Sequence, residues 1–351
     1  MFPLEFPMSI LKNARDGVVL DPFCGRGTTN VAARVRGLPT VGIDSSPVAV
    51  AATAAKLSRG VTRVEDIVET TRKLIAEHRD PMVPQGAFWD LAYHPEVLRQ
   101  ICAIREGLHR SCLSDAARAL RGLMLGALHG PKHKSGSSSY FFNQSPRTYG
   151  PKPNYAVKFW KERGSRPPFV DVVRTIEARA KRAFGQVLEP IRSRVLLGDS
   201  RSISWSDVLR GIGPVRHVVT SPPYYGLRTY RPDQWLREWF LGGADEACYT
   251  AEAQVGHRSP EALAADLAIV WTGLADHVAP DARMVIRFGA INDRPVDPAS
   301  IIRASIMPTP WRIVHMRKAG LASSGRRQAI SFRETIPPPV EELDVYCRLT
   351  T

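Results

Sequence analysis

Residues 18–44 limit the possible folds more than any other stretch of the chain. Val18-Val19-Leu20 is an apolar run. Asp21-Pro22-Phe23-Cys24-Gly25-Arg26-Gly27 is a tight, glycine-bearing loop, and Thr28 or Thr29 is a candidate cap for a helix through Asn30–Arg36. Leu38–Ile43 is a second apolar run, closed by Asp44. Strand, helix and strand in this order read as the opening of an α/β sheet that is mostly parallel. Gly25 and Gly27 permit left-handed backbone and let a ligand approach the main chain. Amides at the helix start suit a carboxylate or a phosphate.

Two acids narrow the ligand. Asp44 lies at the tip of the second strand, where a carboxylate grips ribose hydroxyls. Asp21 precedes the loop, where it would repel a pyrophosphate and attract an ammonium group. The dinucleotide fingerprint G-x-G-x-x-G is incomplete, because its third glycine is replaced by Asn30. A ligand with an amino-acid end and a ribose, such as S-adenosylmethionine, suits this pattern better than a nicotinamide dinucleotide. A plain α/β loop without a ligand is the bland alternative.

Far downstream, Val215–Thr220 is strand-like and runs into Ser221-Pro222-Pro223-Tyr224-Tyr225. The prolines fix φ and lack an N–H, so they hold a rigid, non-helical corner. Such a corner can be an ordinary turn. It can also present the Ser221 hydroxyl, the Pro222 carbonyl and the face of Tyr224 to a flat, amine-bearing ring.

Together, DPFCGRGTT, VGID and TSPPY resemble the amino-methyltransferases of DNA, the family that methylates the exocyclic nitrogen of cytosine or adenine. The Ser-first form of the second motif is closer to the cytosine-N4 enzymes. Leu196–Ser200 resembles a third motif of that family, and Phe2-Pro3 and Phe6-Pro7 resemble the segment that closes over the methionine end. The likeness covers residues 1–58, 194–230 and, more loosely, 283–333.

This resemblance implies a Rossmann-like class I methyltransferase sheet with an antiparallel closing strand. It implies S-adenosylmethionine as cofactor, with Asp21, Pro22, Phe23, Gly25, Gly27, Thr28, Asp44, Ser45 and Asp199 around it. Asp21 is assigned to the amino group, Asp44 to the ribose and Asp199 to the adenine. Ser221, Pro222, Pro223 and Tyr224 are the implied catalytic residues. The order of the motifs matches one group of the family and their wording another, which leaves open which part reads a DNA sequence.

Charge bears on the partner. The chain of 351 residues has 48 Lys+Arg against 34 Asp+Glu, a formal net charge of +14, which favours a polyanion such as DNA or RNA. An Arg-rich lifestyle is the competing explanation. The five scattered cysteines suggest a reducing compartment without a disulfide framework, and no CxxC or HExxH predicts a metal site. No apolar run is long enough for a membrane span. The expected location is cytoplasmic and nucleoid-associated.

Residues 59–190 interrupt the α/β rhythm. Val64–Arg79, Pro95–His109 and Asp115–Leu128 have helical spacing, with Asp115 a plausible N-cap. We read residues 1–58 and 191–351 as two halves of a catalytic domain, and 59–190 as a helical insertion. Within it, residues 131–168 read as a long loop mixing basic and aromatic residues. Lys132, Lys134, Arg147, Lys152, Lys158, Lys161 and Arg163 are candidate phosphate contacts, and the interleaved aromatics are candidate base stackers. The alternative is that those aromatics pin the loop to the helices. Arg228 is either a further phosphate contact or a surface arginine. Trp311–Arg317 and Gln328–Phe332 are expected to close the sheet as an antiparallel pair.

The resulting expectation is a cytosine-N4 methyltransferase acting on double-stranded DNA by base flipping, with a cognate restriction nuclease or defence system as a candidate partner. Alternatives are adenine-N6 methylation, an RNA substrate, and a non-catalytic nucleic-acid binder whose cofactor pocket has decayed.

Overall fold

The computed structural model describes residues 2–58, 61–130, 140–143, 153–184, 189–226, 234–247, 259–289, 296–321 and 341–350. In chain order the elements are α1 (Glu5–Ile10), β1 (Val18–Asp21), α2 (Thr28–Val35), β2 (Thr40–Asp44) and α3 (Pro47–Leu57). Six helices follow: α4 (Val64–Glu77), α5 (Ala87–Ala92), α6 (Pro95–Arg110), α7 (Asp115–Ala127), α8 (Pro153–Glu162) and α9 (Val172–Phe184). The chain continues through β3 (Ser193–Leu197), α10 (Trp205–Leu209), β4 (Val215–Thr220), α11 (Trp235–Phe240), α12 (Pro260–Ala275), β5 (Arg283–Gly289), α13 (Pro298–Ile306), β6 (Trp311–Leu321) and β7 (Glu341–Leu349).

Two compact units emerge. The first comprises residues 1–53, 191–229 and 255–351, the second residues 54–190 and 230–254. In the first, seven strands form one sheet in the order β3-β2-β1-β4-β5-β7-β6. The pairs β3-β2, β2-β1, β1-β4 and β4-β5 are parallel, and β7 lies antiparallel between β5 and β6. This is a Rossmann-like α/β sheet with an antiparallel closing strand, as the resemblance implied. Val18, Leu20, Val41, Ile43, Val218, Met284, Ile286 and Phe288 fill one face, with Trp271 and Leu267 of α12. On the other, Val19, Val219 and Val285 meet Phe6, Leu11, Ala32 and Ala33. Central strands buried on both faces must be apolar throughout, hence the short Val/Leu/Ile runs.

The partner of β6 is a correction. It is Glu341–Leu349, in register from Trp311↔Leu349 to Leu321↔Glu341. The expected partner, Gln328–Phe332, lies outside the described residues. Charged residues hid the real strand. Asp344 is almost fully buried, with Arg287 of β5 donating to it at 2.7 and 3.0 Å and Arg317 of β6 at 3.1 Å. Burial of an acid is tolerable when paired cations and hydrogen bonds satisfy it.

The second unit is helical. Phe88, Trp89, Tyr93, Phe142, Trp160, Trp235 and Trp239 form its aromatic centre, with ring centroids as close as 4.5 Å. Two expectations change here. Residues 230–254 were read as part of the catalytic half, yet α11 belongs to this unit because Trp235 and Trp239 pack on Phe88 and Trp89. Residues 153–162 were read as loop and are helix. Ala156 and Trp160 give α8 a buried stripe, and Phe141 and Phe142 are buried as well. Those aromatics are core, not base platforms. At α7 the N-cap is Ser114, whose hydroxyl accepts from the Ala117 amide at 3.1 Å, and Asp115 sits in the first turn. Among the described residues no helix is long and apolar enough to cross a membrane.

Candidate active site

The two sequence motifs meet at the ends of adjacent parallel strands. β1 delivers Asp21 and β4 delivers Thr220, and the Thr220 hydroxyl donates to Asp21 Oδ1 at 2.6 Å. The Phe23 amide also donates to Oδ1, at 3.1 Å. Asp21 is fully buried, and its Oδ2 has no hydrogen-bond partner among the described residues. Burial pushes its pKa up to about 6, although the bond from Thr220 opposes the rise. A buried carboxylate oxygen without a donor is costly, and a cation or donor placed against it would relieve that cost.

The loop beyond Asp21 leaves space. Gly25 has φ +52°, and a Cβ built there would meet nothing within 4 Å. Gly27 has φ +74° for a different reason: a Cβ there would lie 2.5 Å from Thr53 of α3. Gly27 also occupies the N-cap of α2, so neither threonine caps that helix. Thr28 is its first residue, and the Thr29 hydroxyl donates instead to the Val219 carbonyl at 3.1 Å. A left-handed glycine starts the helix by turning the chain, without a side-chain acceptor.

Asp44 holds the loop in place. Its Oδ2 accepts from the Gly25 amide at 2.8 Å and its Oδ1 from the Ser46 amide at 2.8 Å. Each oxygen has a further lone pair for a ligand hydroxyl. Burial raises the Asp44 pKa, against those two amide bonds. Ser45 is exposed beside it. Cys24 is buried, and burial pushes its thiol well above the ordinary range. It is therefore packing and not a thiolate nucleophile.

At the end of β3, Gly198 donates to the Asp44 carbonyl at 3.0 Å, and Ser200 donates to the Pro22 carbonyl at 2.5 Å. These bonds set the third motif beside the glycine loop. Asp199 is not free: Arg201 grips both its oxygens, at 3.0 and 2.6 Å, and also reaches Asp266 of α12 at 3.0 Å. That hydrogen bonding holds the Asp199 carboxyl below its usual range. Sequence reasoning missed Arg201 and Asp266.

On the diproline corner, Ser221 is half-buried, Pro222 buried and Pro223 exposed. Neither the Ser221 hydroxyl nor the Pro222 carbonyl takes a hydrogen bond among the described residues. Tyr224 is only 9% exposed; its ring meets Phe288 edge-on at 5.3 Å. Its hydroxyl donates to Glu342 of β7 at 2.7 Å, a second contact that the motif did not signal.

The expected nucleic-acid contacts divide. Lys158 and Lys161 lie on α8, with Arg163 just beyond it. Lys158 and Arg163 approach Glu162 at 3.9 and 4.0 Å, and Arg163 also lies over the Phe159 ring at 4.0 Å. Lys158 and Lys161 line a shallow groove of about 470 Å³ with Phe88, Asn154 and Val157. Lys132, Lys134, Arg147, Lys152 and Arg228 lie outside the described residues. Among the described residues no cluster of three His, Cys, Asp or Glu side chains could hold a metal ion.

No protein-family model matches the chain. No curated protein matches it. Solved structures similar to it include an rRNA methyltransferase, aviRa, from Streptomyces viridochromogenes, at 13% identity over 98% of this chain and 84% of that one, with a TM-score of 0.33. Another is a TehB-like SAM-dependent methyltransferase from Corynebacterium glutamicum, at 9% identity over 100% and 89% of the two chains, TM-score 0.35. TrmN from Thermus thermophilus is a third, at 11% identity over 99% of this chain and 48% of that one, TM-score 0.35. Likenesses this loose do not define an activity. The chemistry has to come from the residues of the chain itself.

Proposed function

We propose that this protein is an S-adenosylmethionine-dependent methyltransferase acting on an exocyclic amine of a nucleic-acid base, with cytosine N4 in double-stranded DNA as the first target. The observation that carries the reading is the 2.6 Å bond between Thr220 and Asp21. It joins a glycine loop built for a cationic, ribose-bearing ligand to a diproline corner built for a flat amine.

The donor groups fit the cofactor. Asp21 Oδ2, without a hydrogen-bond partner among the described residues, suits its ammonium, the open space over Gly25 suits its backbone-hugging end, and Asp44 suits its ribose. Asp199 would meet the adenine amine while remaining bound to Arg201. When bound, the cofactor supplies a methyl group on a sulfonium. The chain does the rest. The Ser221 hydroxyl and the Pro222 carbonyl would accept hydrogen bonds from the amine, which would localise the nitrogen lone pair. Positioning of this kind supplies a large part of a rate enhancement. Tyr224, held by Glu342 and largely buried against Phe288, would turn its small exposed part to the extruded base, and flipping costs a few kcal/mol. Lys158, Lys161 and Arg163 supply phosphate contacts on the second unit.

The experiment is incubation of the protein with methyl-labelled cofactor and duplex DNA, then digestion and mass spectrometry of the nucleosides. N4-methylcytosine is the expected product. N6-methyladenine alone would move the target to adenine, label only in an RNA substrate would replace DNA, and calorimetry without cofactor binding would leave a nucleic-acid binder.

A further inference from the structure

The face of the sheet opposite Trp271 has a row of like charges in register. Arg348 of β7 is directly paired with Arg283 of β5 on one side and with Arg312 of β6 on the other. Residues paired in this way point to the same face, and neighbouring strands lie about 4.8 Å apart, so three guanidinium groups crowd a strip about 10 Å wide. All three residues are exposed. None has an ion pair among the described residues, and the nearby carboxylates of Asp16 and Asp281 go to Arg216 instead. On β4, the residue level with Arg283 is His217, whose Nε2 lies 3.1 Å from the Asp16 carbonyl.

The neighbouring rows show what a self-sufficient arrangement looks like. Further along the strands, towards their middle, Arg317 and Arg287 flank Asp344, whose carboxylate pairs with both. Between the two rows, His315 stacks on Tyr346 with centroids 4.1 Å apart and forms a wall along the arginine strip. Like charges directly opposite one another destabilise a sheet. The arginine row lacks the acid that its neighbour has, and an external anion can supply it.

We infer that Arg283, Arg312 and Arg348 form a docking strip for the phosphate backbone of a nucleic acid. The net charge of +14 and the fork geometry of the three guanidinium groups both suit successive phosphates. The inference rests on the nucleic-acid reading above and extends it to a surface outside the catalytic corner. His217 lies four residues before Ser221, about 13 Å along the strand, so the strip holds a different stretch of the polynucleotide from the nucleotide at Ser221. The strip therefore sets affinity and leaves the chemical step alone.

The test compares the full-length protein with its R283Q/R312Q/R348Q variant, using a fluorescent duplex of 20 base pairs at several salt concentrations. With three phosphate contacts gone, the slope of log affinity against log salt should fall by about 2.7, and binding at 0.1 M salt should weaken by about tenfold or more. The variant should melt no lower than the parent, because repulsion has been relieved, and its cofactor affinity should be unchanged. KM for DNA should rise with kcat constant. Equal slopes and affinities for parent and variant overturn the strip while leaving the catalytic reading intact. A parent that binds neither duplex DNA nor an RNA stem overturns both. A variant that binds DNA normally and has lost affinity only for acidic vesicles assigns the strip to a membrane surface and overturns the proposal.

Discussion

The two units bury their distinctive residues in opposite ways. In the helical unit the centre is aromatic and its polar groups are mostly matched: the Tyr93 hydroxyl donates to the Leu128 carbonyl at 2.8 Å, and Asn143 donates to the carbonyls of Leu91 and Ala92. In the sheet unit the chain drives a carboxylate to the end of β1, buries it completely and leaves one of its oxygens without a hydrogen-bond partner among the described residues. The first arrangement stabilises a fold. The second costs stability, and it persists where a ligand completes it. The helical unit has two counter-examples: among the described residues the Arg121 Nε and the His129 Nε2 are buried without a hydrogen-bond partner, and burial lowers the His129 pKa to about 3. A neutral imidazole nitrogen is cheaper to bury than a carboxylate, so His129 does not carry the same implication.

The largest expected effect breaks the helical side of the comparison. Trp89→Ala removes a buried ring that touches Phe88, Trp235 and Trp239, and should cost about 3–5 kcal/mol, read by denaturant unfolding. Cofactor affinity below the melting range should not change. Next is Asp21→Asn, which should weaken cofactor binding by about a hundredfold, or about 3 kcal/mol, in calorimetry while raising the melting temperature. Unchanged affinity would remove Asp21 from the site.

Acid should act on the same group. With its folded pKa near 6 and an ordinary value of 3.8, Asp21 binds its proton more tightly in the folded protein. Its share of stability therefore grows as pH falls from above 6 towards 4, and it works against folding at neutral pH. On the proposed reading cofactor binding needs the carboxylate, so affinity should drop by up to about tenfold for each pH unit below 6. A flat profile between pH 5 and 8 would contradict the charge pairing. Smallest of all, Tyr224→Phe removes only the bond to Glu342. It should cost about 1 kcal/mol in target binding or stability, and Tyr224→Ala should reduce methylation far more without moving cofactor affinity.

How much of this was legible depends on the kind of burial. β1, β2 and the second half of β4 are buried on both faces, so their sequences are mostly apolar, and the motifs at their ends could be located at once. β7 has Glu342, Asp344 and Arg348 among its apolar residues, and only the pairing with Arg287 and Arg317 explains a buried acid there. α8 was concealed by its basic residues. Pro153 at its first position and Ala156 and Trp160 four apart were the available signals. α11 could have been found from Trp235, Leu236, Trp239 and Phe240, which recur at helical spacing. The bond between Arg201 and Asp199 spans two positions in an exposed turn, a distance at which no periodicity speaks.

Thr220 touches the glycine loop through its side chain and the diproline corner through its peptide link to Ser221. Charge arriving at Asp21 Oδ2 changes how strongly Oδ1 attracts the Thr220 hydroxyl, and so how firmly the next residue is held. Occupancy of one half of the cleft is thereby felt in the other. Because free energy depends only on the end states, the influence would run equally in both directions on the proposed reading: whatever factor a methyl donor contributed to grip on a base, the base would return to grip on the donor.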